Sequence, residues 1–80
     1  MFTAKVSITL KESVLDPQGQ TVKKALSSMG EELCKDVRVG KYIEIKLDTK
    51  SKAEAETITK RICDQLLVNP VVETYSSIVE

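Results

Sequence analysis

The 80-residue chain carries twelve Lys and Arg against twelve Asp and Glu, so it has no net charge; at that length it is one domain with a modest core and much exposed apolar surface. Charges of both signs are scattered rather than blocked, which argues against electrostatic capture by nucleic acid or an anionic membrane and fits protein contacts. With no histidine, triads and zinc sites built on that side chain are excluded.

Met1 leads directly into Phe2-Thr3-Ala4-Lys5-Val6 without a basic stretch, an apolar run or a small-residue cleavage site, so a cytoplasmic protein is expected. Phe2, Ala4, Val6, Ile8 and Leu10 alternate with Thr3, Lys5, Ser7, Thr9 and Lys11, which predicts a strand over residues 2–11 with one apolar face. In Leu15-Asp16-Pro17-Gln18-Gly19, Asp16 suits a helix N-cap and Pro17 the first helical position. The helix that follows has its apolar stripe at Val22, Ala25, Leu26 and Met29 and its natural end at Gly30.

The central stretch Asp36–Asp48 alternates again, with Val37, Val39, Ile43, Ile45 and Leu47 on one parity and Arg38, Glu44, Lys46 and Asp48 on the other. A two-residue Gly40-Lys41 hairpin would pair Val37 with Glu44 and mix these sets. Two arrangements remain open: a hairpin with a three-residue loop, Gly40 to Tyr42, or one long strand bent at Gly40. Ser51-Lys52-Ala53-Glu54 has the form of a capping box, in which each side chain satisfies the other's backbone donor. It opens a second helix with Ala55, Ile58, Ile62, Cys63 and Leu66 on its buried side, ending near Leu67 because Pro70 pushes Asn69 out of the helical region. Residues 71–79 are rich in β-branched side chains and predict a last strand. Its buried face is ambiguous, since Val71, Tyr75 and Val79 oppose Val72 and Ile78 in parity.

The pattern is α+β: a two-layer sandwich in the order β-α-β(β)-α-β, with a mainly antiparallel sheet and both helices on one face. Uncovered edges and apolar patches suggest a sheet extended between subunits, in a homodimer or a dimer of dimers. The three glycines Gly19, Gly30 and Gly40 are isolated and make no phosphate-binding loop. Glu31 and Glu32 read as a solvated pair, and Cys34 and Cys63 as reduced apolar residues without a base to activate them. Three aromatics, Phe2, Tyr42 and Tyr75, are few for an RNA-stacking sheet. Composition therefore points to a binding module, with a free-standing small-metabolite sensor or an RNA-binding domain as the alternatives.

Three motifs, Leu15-Asp16-Pro17-Gln18-Gly19, Asp36-Val37-Arg38-Val39-Gly40-Lys41-Tyr42-Ile43-Glu44 and Cys63-Asp64-Gln65-Leu66-Leu67-Val68-Asn69-Pro70-Val71-Val72-Glu73-Thr74-Tyr75, closely resemble the PurS family, the small subunit of phosphoribosylformylglycinamidine synthase. The likeness covers residues 1–80 as a single PurS-like domain, departing from the family pattern at Glu31 to Lys35, at Ser51 to Lys60 and at Ser77 and Ile78. It implies a subunit without catalytic, cofactor-binding or metal-binding residues of its own. A large synthetase subunit with ATP and magnesium, and a glutaminase subunit that releases ammonia, are the implied partners. Arg38, Gly40 and Lys41, with Asp16, Gln18, Asn69 and Pro70, form the expected partner interface, Arg38 being able to bind a carboxylate bidentately.

Overall fold

A computed structural model describes residues Met1–Glu80, which run in the order β1 (Phe2–Leu10), α1 (Pro17–Ser28), β2 (Gly40–Leu47), α2 (Lys52–Ile62), a π-helical turn (Cys63–Leu67) and β3 (Glu73–Val79). All strand pairs are antiparallel, in the order β2-β1-β3. The strand with the strictest alternation takes the centre, where Ala4, Val6 and Ile8 are fully buried. Ala4 lies opposite Ile45 and Val79, Val6 opposite Ile43 and Ser77, and Ile8 opposite Lys41 and Tyr75. Residues paired in this way share a face, so the register also settles the last strand: Tyr75 packs on the core and Val79 is buried, while Ile78 points to the far face, 62% exposed. β3 begins at Glu73 because Val72 and Glu73 both donate their N–H to the Asn69 carbonyl, closing Val71 and Val72 into a turn.

Neither arrangement left open at Gly40 is adopted. β2 starts at Gly40, and Val37 to Val39 have no strand partner; the Val39 N–H instead donates to Asp16 Oδ2 at 2.7 Å. Gly40 passes so close to the Ile8 carbonyl oxygen of β1 that a Cβ would collide with it, which explains a glycine at the mouth of the strand.

α2 begins at Ser51, whose Oγ accepts the Glu54 N–H at 3.2 Å. The reciprocal bond expected of a capping box is not formed. Ala55 and Thr59 face the sheet, and the buried Thr59 hydroxyl is satisfied by donating to the Ala55 carbonyl at 2.8 Å. After Ile62 the chain widens into the π-turn, where the Val68 N–H donates to the Cys63 carbonyl five residues back. The extra residue per turn rotates Cys63, Leu67 and Val68 onto the core and Leu66 away from it, 79% exposed, where a continuous α-helical period would have buried it.

α2 packs on β1 and β3, as expected of a two-layer fold; α1 makes no comparable contact with any strand. Within α1 only Gly19 is buried, and Met29 at its end is 74% exposed. The helix is held by its first turn to Val37–Val39 rather than by its stripe to the sheet, so it stands out as an arm. The molecule measures 51 × 24 × 14 Å with a radius of gyration of 16.1 Å, against about 12 Å for a compact chain of this length.

Candidate protein-docking site

The three motifs meet at one pole of the sheet, where β1 ends and β2 and β3 begin. Asp16 is the pin. Its Oδ1 accepts the Gly19 N–H at 3.0 Å as an N-cap, while its Oδ2 accepts the Val39 N–H, so one nearly buried carboxylate joins the start of α1 to the approach to β2. Gly19 lies against the Val37 carbonyl oxygen, leaving no room for a Cβ. Arg38 reaches back across the same loop, with Nη2 donating to the carbonyl oxygens of Lys11 at 2.6 Å, Val14 at 3.2 Å and Leu10 at 3.4 Å. On the other side, the Lys11 N–H donates to the Val72 carbonyl, and Glu73 accepts the Asn69 N–H at 2.8 Å through Oε1 while its Oε2 pairs with Lys41 Nζ at 3.4 Å.

Charge at the pole follows from these bonds. The Gly19 and Val39 N–H groups lower the pKa of the Asp16 carboxyl below its ordinary value against an opposing push from desolvation, and Arg38 adds to the lowering. Glu73 is likewise lowered, first by the Asn69 N–H and then by Lys41. A cavity of about 220 Å³ opens among these groups, lined by Ile8, Thr9, Leu10, Asp16, Gln18, Val39, Gly40, Lys41 and Glu73. A cleft of this size suits an inserted side chain or loop better than a drug-sized ligand, whose pockets start at about 300 Å³.

Of the residues singled out from sequence, Asp16, Gln18, Gly40 and Lys41 line this one cleft. Arg38 lies in the adjoining groove with Thr9, Leu10, Lys11, Glu12 and Thr74. Asn69 joins them through Glu73, and Pro70 lies beyond Glu73 on the side of Asp64, Val68 and Tyr75. Asp16 and Gly40 shape the pole, and Gln18 and Lys41 are its polar outer groups. The sequence reading passed over Leu15, Val71 and Glu73. Leu15, in the link before α1, and Val71, in the turn before β3, are 71% and 75% exposed at this pole, and an apolar side chain beside a helix-start or turn signal is the mark that they carry. Glu73 could not have been found, because its role depends on the fold bringing Asn69 and Lys41 to it.

Elsewhere the chain offers little for chemistry. Burial raises the pKa of the Cys63 thiol, which keeps it a thiol packed against Val6, Ile8 and Val68. Cys34 is exposed on the loop after α1. The far face of the sheet presents one aromatic, Tyr42, whose hydroxyl donates to Glu44 at 2.9 Å.

Comparison with known proteins decides the family. The family model described as PurS, phosphoribosylformylglycinamidine (FGAM) synthase, matches residues 3–80. The chain belongs to the PurS family. It is 46% identical over 80 residues to the Bacillus subtilis phosphoribosylformylglycinamidine synthase subunit PurS, covering all of this chain and 94% of that protein. Among solved structures, B. subtilis PurS superposes with a TM-score of 0.86 over 100% of this chain and 99% of that one, at 46% identity. A chain of the PurLQS complex from Thermotoga maritima gives a TM-score of 0.90 at 33% identity, covering 99% of this chain and 96% of that one. In a PurS fold, the pole gathers all three sequence motifs that carry the family likeness. No helix is long and apolar enough to cross a membrane.

Proposed function

We propose that this chain is the small, non-catalytic subunit of phosphoribosylformylglycinamidine synthase and that it bridges the large synthetase and glutaminase subunits. The complex would use ATP and glutamine to convert formylglycinamide ribonucleotide into formylglycinamidine ribonucleotide in the cytoplasm. ATP and magnesium belong to the large subunit. There the amide oxygen is activated by phosphorylation and displaced by ammonia from the glutaminase. Ammonia released into water would be protonated and diluted, so a subunit that seals the path between the two centres raises the rate without touching a reacting atom.

The observation that carries this reading is the convergence of Asp16, Gln18, Gly40, Lys41 and Glu73 on one cleft, beside the exposed Leu15 and Val71. Buried donors and acceptors rigidify the pole from within, and the exposed Gln18 and the apolar pair remain for a partner, with the exposed Lys41 beside them on its ion pair to Glu73. Arg38 spends Nη2 on three carbonyls of its own chain; its other guanidinium nitrogens are its means of reaching a partner carboxylate. The chain acts as a homodimer or a dimer of dimers, a reading supported by the standing-off of α1.

Size exclusion of the three subunits mixed with glutamine and magnesium nucleotide tests the docking site. The parent chain should co-elute with the large and glutaminase subunits, and the double variant Gln18→Ala/Lys41→Ala should elute separately with an unchanged circular dichroism spectrum. Co-elution of the variant at parental yield would remove the pole from the interface.

A further inference from the structure

A bridging subunit needs more than one surface, and the outer edge of β3 offers a second, remote from the pole in its chemistry. Thr3 and Glu80 exchange both backbone bonds, at 2.8 and 2.9 Å, and the Lys11 N–H donates to the Val72 carbonyl. Bonding alternates along an antiparallel strand, so the even-numbered residues of β3 face β1, and Tyr75, Ser77 and Val79 turn their N–H and C=O groups outward. β3 ends the sheet, which leaves those groups without a strand to bond. Natural edges are blunted by lysine, proline or a bulge. β3 has neither lysine nor proline and keeps an unbroken register with β1 from Glu73 to Val79.

Beside this edge runs a groove of about 450 Å³, walled by Lys52, Glu56 and Lys60 of α2 and by Tyr75, Ser77 and Val79 of β3. Ser77 marks its floor: it shares a face with Val6, its fully buried partner in register, yet is itself exposed. Lys52, Glu56 and Lys60 are spaced by four and so line one side of the helix. All three are exposed, and neither of the chain's two ion pairs includes them. Ala55 clusters with Val79, while Cys63 belongs to the cluster that Tyr75 packs against. α2 therefore runs opposite to β3, with Lys52 level with Val79, Glu56 with Ser77 and Lys60 with Tyr75. Lys52 and Lys60 are about 12 Å apart along the helix, and four residues of strand span about 13 Å. A strand laid on the edge meets positive, negative and positive charge at every second residue.

That pattern selects the occupant. A second copy pairing its own β3 across a two-fold axis at Ser77 would set Glu56 against Glu56 and Lys52 against Lys60, like charge against like. A foreign strand with acidic, basic and acidic side chains at alternate positions meets a counter-charge at all three, in either direction, because the pattern reads the same both ways. We propose that the β3 edge takes an extended segment of another subunit as a fourth strand, with an acidic–basic–acidic face turned to Lys52, Glu56 and Lys60. The edge stands on its own geometry; that the segment belongs to the synthetase or glutaminase subunit rests on the function proposed above.

Two end-blocked peptides, TETKTET and its charge reversal TKTETKT, titrated into the isotope-labelled chain test the edge. The first should shift the amide signals of Tyr75, Ser77 and Val79 and bind at least roughly threefold tighter than the second. Lys52→Glu/Glu56→Lys/Lys60→Glu should invert that order. Ser77→Pro removes only an outward N–H, a change that edge strands accommodate; it should abolish the shifts at Tyr75 and Val79 while keeping the parental circular dichroism spectrum. In the three-subunit mixture both variants should co-elute less than the parent. Unmoved amides with either peptide, or equal binding of the two, would overturn the charge-selected edge. A lower oligomeric state of the isolated Ser77→Pro chain would overturn it too, by giving the edge to a second copy. Selective peptide binding together with parental co-elution of both variants would sever the edge from the synthase. A parent chain that fails to co-elute would overturn the function proposed above, and the peptides alone would then decide the edge.

Discussion

α1 and α2 carry apolar residues at the same helical spacing, yet α2 buries Ala55 against the sheet while α1 leaves Val22 and Met29 in solvent. The difference lies in the tethers and not in the stripes. α2 follows β2 through the short link Asp48–Ser51 and is continued by the π-turn and β3, so both ends hold it over β1 and β3. α1 is tied only at its first turn, by Asp16 and Gly19, to a segment that is itself outside the sheet. Periodicity states that a helix has a face to bury; tethering decides whether its own chain provides the surface.

The comparison predicts that equal chemical insults will have unequal effects. The largest should come from Ile8→Ala, which empties a site only 1% exposed at the centre of the sheet; a loss of about 2–5 kcal/mol is expected in urea unfolding. Met29→Ala on the arm should change the stability of a monomeric form by less than about 0.5 kcal/mol, and equal losses at the two sites would break the distinction. Next comes Gly19→Ala, whose Cβ meets the Val37 carbonyl oxygen. Overpacking of this kind costs about 1–3 kcal/mol, and hydrogen exchange should show protection lost in α1 but kept in β1. Ser51→Ala removes the bond to the Glu54 N–H and should cost about 1 kcal/mol, measured by urea unfolding as a shift in midpoint with unchanged slope.

The smallest effect is one of pH. The folded-state pKa of Asp16 lies below its unfolded value, so the stability it contributes is complete above the unfolded value of about 3.9 and is lost as pH falls through the folded one. Glu73 has the same sign. Acid should therefore loosen the pole and the arm while the apolar sheet core persists, visible as earlier loss of the Gly19 and Val39 amide signals than of Val6 in a titration below pH 4. Asp16→Asn should abolish the part of this dependence that belongs to the arm.

Much of the fold was legible because it rests on local patterns. The alternation from Phe2 to Leu10 marks the central strand, the Asp16-Pro17 pair marks the start of α1 at the residue where it lies, and the S-x-x-E run marks the start of α2. Features that depend on distant contacts were hidden. The π-turn is invisible to a 3.6-residue period, which puts Leu66 on the buried side where the structure exposes it. The parity of β3 was undecidable until the register with Ala4 and Ile8 existed. The sequence marks Asp16 as a cap and an expected interface residue, and nothing local announces that its second oxygen will take the Val39 N–H from 23 residues away. At the pole, individual residues were legible and their gathering was not, since it requires β1, β2 and β3 to be in place.

The central claim is that this chain matters to the synthase reaction by joining other subunits. The direct measurement is formylglycinamidine ribonucleotide formation by the large and glutaminase subunits, with and without this chain, using glutamine and then free ammonia as nitrogen donor. With glutamine, activity should fall to background when the chain is omitted; with ammonia it should persist, and the chain alone should turn over nothing. Full glutamine-dependent activity in its absence would contradict the account.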